Sequence, residues 1–377
     1  MIFGKGRIYA DYASTTPSSR RVACYMRRAE KKYRANPSAI YEEGVAARSF
    51  LEGERAKVAK VLGVKSEEVY FTSGGTEANA TIIQGVLRAR LEGGAKDVHA
   101  VSTSIEHSSV LEVLRLFEKH GVRVTYVAPG PDGVVRADDV LKAITPATAL
   151  VSVMYANNEI GTIQPVSKIG AGVRKIRAEK VGKADAAFPV FHTDASQAPA
   201  YLSCELEGLR ADAMTLDAHK MYGPRGVGSL IVRRHVAWEP LMAGGGQERG
   251  MRPTTESVSL VAGFARALEL AAAERESRAA KARKVRDALL ELVSGMPGVI
   301  INGSLEHRLP NNANISIPTL SDAELAVIAL DHGGIACSTK SSCLKGEEES
   351  YVVRALGGDP TRARTTLRFT FGDGSRA

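Results

Sequence analysis

From residue 60 onward, short apolar runs of strand character recur along the chain, each separated from the next by a helix-like stretch. This alternation narrows the fold more than any other property of the sequence. The runs are Val69–Thr72, Val98–Ser102, Val122–Val127, Ala149–Tyr155, Pro189–His192, Ala213–Leu216 and Gly228–Val232. Strands joined through helices pair in parallel, so the pattern predicts an α/β fold with a mostly parallel, seven-stranded sheet flanked by helices on both faces. Polar clusters follow five of the runs: Gly74-Gly75-Thr76, His107, Asn157, Asp194 and Lys220. In open α/β sheets ligands bind beyond the carboxyl ends of strands, so the five clusters are expected to converge on one crevice.

Beyond Glu256 the pattern turns helical and alanine-rich, with Val285, Leu289, Leu292 and Val293 at helical spacing and a stop at Ser294–Gly298. Strand-like Ile315–Ile317, helix-like Ala323–Asp331, a Ser- and Cys-rich loop at 337–343 and strand-like Thr366–Phe371 then predict a smaller α+β domain. A chain of 377 residues accommodates both units. The expected boundaries are 18–262 for the large domain, and 1–17 with 263–377 for the small one, which carries a cysteine loop at 337–350.

Several function classes are disfavoured. The formal charge of +8 is spread along the chain rather than gathered into a basic tract, so direct nucleic-acid binding is not expected. No apolar run is long enough to cross a membrane, and the N-terminal Met-Ile-Phe-Gly-Lys-Gly-Arg lacks the apolar core of a signal peptide, so a cytoplasmic protein is expected. Cys24, Cys204, Cys337 and Cys343 are too few for a disulfide framework, and no Cys-x-x-Cys or His-Glu-x-x-His motif suggests a metal site.

The chemistry concentrates at Lys220, in Asp217-Ala-His-Lys-Met-Tyr-Gly-Pro224, and at Asp194, in His192-Thr-Asp-Ala-Ser-Gln197. A strand-end lysine with a strand-end carboxylate is the pair that a pyridoxal 5'-phosphate enzyme needs, although Lys220 alone also suits a surface lysine and Asp194 a helix N-cap. The amine forms a Schiff base with the cofactor aldehyde, and the carboxylate keeps the pyridine nitrogen protonated. The Ser73-Gly-Gly-Thr76 turn before an amphipathic helix would aim backbone N–H groups at a phosphate, although it equally suits a strand-to-helix connection with a threonine N-cap. His107 can stack on a flat ring or move protons; alternatively it is a packing residue. Asn157 can bind a ring oxygen or simply shape a turn. Arg368, in Leu367-Arg-Phe369, can grip a carboxylate or form a cross-strand ion pair. Cys343 lies in Cys337-Ser-Thr-Lys-Ser-Ser-Cys343, where Lys340 can favour its thiolate.

Taken in order, these residues resemble the cysteine desulfurases, class V members of the aminotransferase-like, fold type I enzymes that depend on pyridoxal phosphate. Matching segments include Tyr9–Pro17, Asn36–Ser38, Phe71–Asn79, Glu106-His107, Asn157–Gly161, His192–Gln197, His219–Pro224, Gly244–Arg252, Tyr351–Gly357 and Leu367–Phe369, spread over residues 7 to 372. The resemblance implies that Lys220 carries the cofactor, Asp194 pairs with its ring nitrogen and His107 stacks on the ring. It further implies that Asn157 and Gln197 contact the ring oxygen, that Gly75, Thr76 and His219 contact the phosphate, and that Asn157 and Arg368 bind the substrate. Thr255 would reach the phosphate of a neighbouring subunit, implying a homodimer. By the same match Cys343 is the catalytic cysteine, which takes sulfur from L-cysteine as a persulfide, releases L-alanine and passes the sulfur to an acceptor protein of iron–sulfur cluster assembly or tRNA thiolation.

The chain departs from the family pattern in three places. Asp217 replaces a small hydroxyl residue near the phosphate, where a carboxylate repels a dianion unless it is turned away or neutralised by His219. Lys340 replaces a glycine of the cysteine loop, and Leu344–Ser350 is a residue short. The sequence ends at Ala377, where relatives continue into further helix, so a covering element of the small domain is expected to be missing. Rival readings are a selenocysteine lyase, another class V aminotransferase that would not need Cys343, and a sulfur-relay scaffold with weak or no catalysis.

Overall fold

Seven strands form where the apolar runs predict them. The computed structural model describes residues 6–179, 187–320, 322–340, 349–358 and 360–376. The chain runs β1 (Ile8–Tyr9), α1 (Arg20–Lys32), α2 (Glu42–Leu62), β2 (Val69–Thr72), α3 (Gly75–Glu92), β3 (His99–Thr103), α4 (Ser108–Glu118), β4 (Arg123–Val127), α5 (Ala137–Lys142), β5 (Thr148–Ser152), α6 (Val166–Ala178), β6 (Val190–Asp194), α7 (Leu206–Leu209), β7 (Ala213–Asp217) and β8 (Gly228–Val232). It continues through α8 (Val258–Ser294), β9 (Ile300–Ile301), β10 (Asn312–Ser316), α9 (Ala323–His332), β11 (Ile335–Ala336), α10 (Tyr351–Arg354), α11 (Pro360–Arg364) and β12 (Thr366–Thr370).

The large sheet has the order β2-β8-β7-β6-β5-β3-β4. All neighbours from β7 to β4 pair in parallel, and β8 alone runs against both of its partners. Because successive side chains point to opposite faces, each strand feeds two cores. Val151, Phe191, Met214 and Ile231 enter the core that also contains Leu51 of α2, Ile169 of α6 and Phe264 of α8. Leu150, Val190, Ala213 and Leu230 enter a second core on the other face with Ile82 of α3 and Leu114 of α4. Burial on both faces explains why these strands read as continuous apolar runs rather than as alternating ones.

A second, antiparallel sheet has the order β12-β10-β9, and β1 pairs in parallel with β11. Leu367 and Phe369 pack there with Ile315, Leu290 and Val293. The N-terminal segment leads from this layer to the large sheet: Thr370 N–H donates to Ala10 O at 2.8 Å, and Thr16 N–H donates to His219 O at 2.9 Å. It is thereby laid across the carboxyl ends of the strands.

The turn Gln247–Gly250 is held by a buried ion pair. Glu248 and Arg249 both have positive φ, 46° and 60°, a conformation that costs a non-glycine residue roughly 1–2 kcal/mol. Glu248 offsets this by accepting from Arg55 of α2 at 2.7 and 2.8 Å and from Phe71 N–H of β2 at 2.9 Å. Replacing Glu248 by Ala strands a buried guanidinium and is expected to cost about 3–5 kcal/mol. The measurement is a drop in the thermal midpoint, most of it recovered when Arg55 is replaced by Met in the same chain.

Candidate active site

Strand ends place the polar clusters on one side of the sheet, around a cavity of about 580 Å³. Its lining includes Gly75, Thr76, His107, Asp194, Gln197, His219, Lys220 and Arg368, so eight of the residues proposed from sequence come together. A larger cavity of about 750 Å³ lies near α5, α6 and α7. It contains none of those residues, and its acids Asp132, Asp138 and Glu205 are exposed.

Asp194 ends β6 and is buried. One carboxylate oxygen accepts from Ser196 N–H at 2.9 Å, and the other accepts from Asn79 Nδ2 at 2.7 Å. Asn79 Nδ2 also donates to Ser109 Oγ at 2.9 Å, tying α3, α4 and β6 together behind the carboxylate. His107 caps α4: its Nδ1 accepts from Ser109 N–H at 3.2 Å and lies 2.8 Å from Ser109 Oγ. That bond assigns the ring proton to Nε2 and fixes the imidazole plane.

Lys220 stands in the short turn after β7, and its Nζ donates to Ala13 O at 2.6 Å and Ser14 O at 2.8 Å. Gln197 Nε2 donates to the same Ala13 carbonyl at 3.0 Å. Arg368 is 1% exposed; its guanidinium donates to Asn158 O, Asp11 Oδ1 and Ser14 Oγ at 2.8–2.9 Å, and its Nε is buried without a partner. The cross-strand ion pair weighed for Arg368 is therefore made with Asp11, outside its own sheet, and it does not remove the arginine from the cavity.

Asn157 requires correction. It is fully buried, its Oδ1 accepts from Glu159 and Ile160 N–H at 2.8 and 2.9 Å, and its Nδ2 donates to Ile105 O at 2.9 Å. The side chain is consumed in shaping a turn, and Asn158 lines the cavity instead, with a buried Oδ1 that has no partner. The threonine N-cap weighed for Thr76 is also absent, because Gly74 is the N-cap of α3 and Thr76 lies in its first turn. Thr255 is exposed and does not line this chain's cavity. Cys343 lies outside the described residues. Cys337 is described, and burial, with a further push from Asp11, raises its thiol to about 12 and keeps it unreactive. Lys340 is buried and pairs with Glu324 at 3.4 Å, a contact that sequence reasoning did not anticipate.

The residues missed from sequence are Asp11, Ala13, Ser14, Asn79, Ser109 and Asn158. Asn79 was detectable, since it falls one helical turn beyond Gly75 on the inward face of α3. The carbonyls of Ala13 and Ser14 leave no side-chain signal at all.

Near Asp194 two buried titratable groups are shifted toward their neutral forms. His192 bridges Ser152 Oγ at 2.9 Å and Thr215 Oγ1 at 3.1 Å, and burial lowers it to about 4 against the pull of Asp194. Glu106 Oε1 accepts from Thr103 Oγ1 and Met154 N–H, while Oε2 is buried without a partner. Burial, helped by the charge of Asp194, raises its carboxyl to about 8 against those two bonds.

The cavity suits pyridoxal phosphate at its ring end: a buried carboxylate, an oriented imidazole and an amine share one lining, and the unpartnered Asn158 Oδ1 leaves an acceptor to satisfy. Comparison with known proteins agrees with the fold. The family model described as Aminotransferase class-V matches residues 8–372. The cysteine desulfurase IscS of Dictyoglomus turgidum is 37% identical over 370 residues, covering 98% of this chain and 90% of that protein. A solved structure described as a NifS-like protein superposes with a TM-score of 0.88 at 34% identity, covering 98% of this chain and 95% of that one. Another, SspA in complex with cysteine, superposes with a TM-score of 0.82 at 29% identity, covering 97% and 99%.

Glu106 yields a test of this electrostatic arrangement. A carboxyl whose folded value lies above its unfolded one contributes stability at low pH, which is lost as pH rises from the ordinary carboxylate range through about 8. Glu106→Gln removes that titration. Its thermal midpoint is expected to decline less than that of the parent between pH 5 and pH 8, with the variant the more stable of the two at the alkaline end.

Proposed function

We infer the reaction from one premise: the chain belongs to the class-V aminotransferase family. Within that family it is a cysteine desulfurase, and the observation that carries this reading is the convergence of Lys220, Asp194 and His107 on a single cavity, the first two from the ends of the adjacent strands β7 and β6. Bound pyridoxal phosphate supplies an aldehyde for the lysine and a ring that withdraws electrons while its nitrogen stays protonated.

The chain's own residues divide the remaining work. Asp194, held in place by the Asn79 and Ser196 donors, is the acceptor for the ring N–H. Lys220 is both anchor and proton carrier, and the carbonyls of Ala13 and Ser14 hold its amine at the cavity wall. His107 would stack on the ring of the bound cofactor and would move protons through Nε2, because Nδ1 is occupied by Ser109. Gln197 and Asn158 suit the ring oxygen; Gly75, Thr76 and His219 suit the phosphate end. Arg368, in the cavity lining, grips the carboxylate of L-cysteine.

Cys343, as a thiolate, takes the terminal sulfur of the substrate. The carbon–sulfur bond breaks, a sulfur–sulfur bond forms on Cys343, and L-alanine leaves. The persulfide sulfur passes to an acceptor of iron–sulfur cluster assembly or tRNA thiolation. Thr255, exposed on the loop before α8, is available to complete the site of a second subunit in a homodimer. The proposed division is 18–262 for the large domain and 1–17 with 263–377 for the small one that carries the cysteine loop, with the boundary at 262 inside α8. Among the described residues no helix is long and apolar enough to cross a membrane, and a cytoplasmic setting is proposed.

The test is a purified protein loaded with pyridoxal phosphate. A visible absorption band is expected that shifts on addition of L-cysteine, with equal amounts of alanine and sulfide formed in the presence of dithiothreitol. Cys343→Ser is expected to keep the band and the shift while sulfide release falls to background. Undiminished release would remove Cys343 from the reaction.

A further inference from the structure

The phosphate end of the cavity already contains an anion belonging to the protein. Asp217 closes β7, and its Oδ2 accepts from the backbone N–H of Gly75, the first residue of the 18-residue helix α3, at 2.7 Å. A methyl group on Gly75 would stand 3.2 Å from that oxygen and 3.1 Å from Ser196 Oγ, so the carboxylate is pressed against the head of the helix. The side chain is thus not turned away. It takes the type of donor, an N-terminal helix amide backed by the helix dipole, that a phosphate oxygen would take.

The surrounding charges leave Asp217 ionised. His219 Nε2 lies 3.5 Å from Oδ2, Lys220 follows in the same turn, and Arg225 and Asp194 share the cavity. Glu77 of α3 also lines this end, but Arg252 neutralises it at 2.8 Å while it accepts Ser73 N–H at 2.7 Å. Burial pushes the Asp217 carboxyl up, yet His219, the Gly75 N–H and Lys220 together hold it below the ordinary carboxylate value.

We propose that Asp217 competes with the cofactor's phosphate for the head of α3, so that a phosphate ester enters this end of the cavity only with uptake of one proton. The inference rests on the pyridoxal phosphate reading above. A phosphate monoester loses its second proton near pH 6, so at neutral pH and above a dianion would meet a carboxylate on one amide donor. Two anions sharing a site cannot both remain fully ionised, and a proton shared between them resolves the conflict. Asp217 is therefore a positioning and specificity residue: it weakens the preference for the phosphorylated aldehyde as pH rises.

The experiment titrates the cofactor-free protein with pyridoxal phosphate and with pyridoxal, which lacks the phosphate, following the visible band at pH 7 and pH 8 in the parent, D217N and D217S. Lysine ionisation affects both aldehydes alike, so the ratio of their dissociation constants isolates the phosphate. In the parent, the preference for pyridoxal phosphate is expected to fall about tenfold per pH unit, as uptake of one proton requires. In D217N and D217S it should stay within about twofold and exceed that of the parent at pH 8 by about tenfold. Calorimetry in two buffers of different ionisation enthalpy should show about one proton taken up by the parent and none by D217N. Equal ratios in all three proteins, or no proton uptake by the parent, would overturn the proposal while leaving the cofactor assignment intact. No band with either aldehyde in any of the proteins would overturn both.

Discussion

The register between β6 and β7 underlies everything else in the site. Their parallel pairing sets His192 beside Ala213, Thr193 beside Met214 and Asp194 beside Thr215, so the acidic end of one strand lies next to the end of the strand from which Lys220 follows. A slip of one residue would turn Phe191 and Met214 out of one core and Val190 and Ala213 out of the other. Packing on both faces therefore fixes the position of the carboxylate relative to the amine, and the site inherits its precision from the cores.

The N-terminal segment is the second determinant. Its backbone between Asp11 and Thr16 crosses the strand ends and binds Lys220, Gln197, Arg368 and His219 through main-chain and side-chain groups. It also bonds to β12, so the two sheets are joined through the site rather than around it. Arg368 shows the consequence: a residue of the small sheet reaches the large-sheet cavity because Asp11 and Ser14 receive its guanidinium there. Near Asp194, burial lowers the His192 imidazole and raises the Glu106 carboxyl, so both groups disfavour their charged forms.

Much of this was legible in the sequence. Buried parallel strands announce themselves as apolar runs, and β2 and β8 occupy the residues read from the pattern. Boundaries drifted elsewhere: β5 ends at Ser152, although Val153 and Tyr155 N–H still donate to His192 O at 3.1 Å and Asp194 O at 2.8 Å of β6 before the turn that carries Asn157 and Asn158. Choosing between those two asparagines was beyond sequence reasoning, since the same pair serves whichever one closes the turn, and only the bonds from Glu159 and Ile160 decide it. Asp217 was flagged as out of place, but its direction depends on the Gly75 amide, which no residue type encodes. The carbonyl contacts to Lys220 are invisible for the same reason.

The central claim is that the amine at position 220 is the one that meets the cofactor, opposite the carboxylate at 194. Borohydride reduction of the cofactor-loaded protein, followed by proteolysis and mass mapping, tests it directly. The account predicts a single pyridoxyl adduct, on the peptide that contains Lys220. An unmodified Lys220, or an adduct on another lysine, would contradict it.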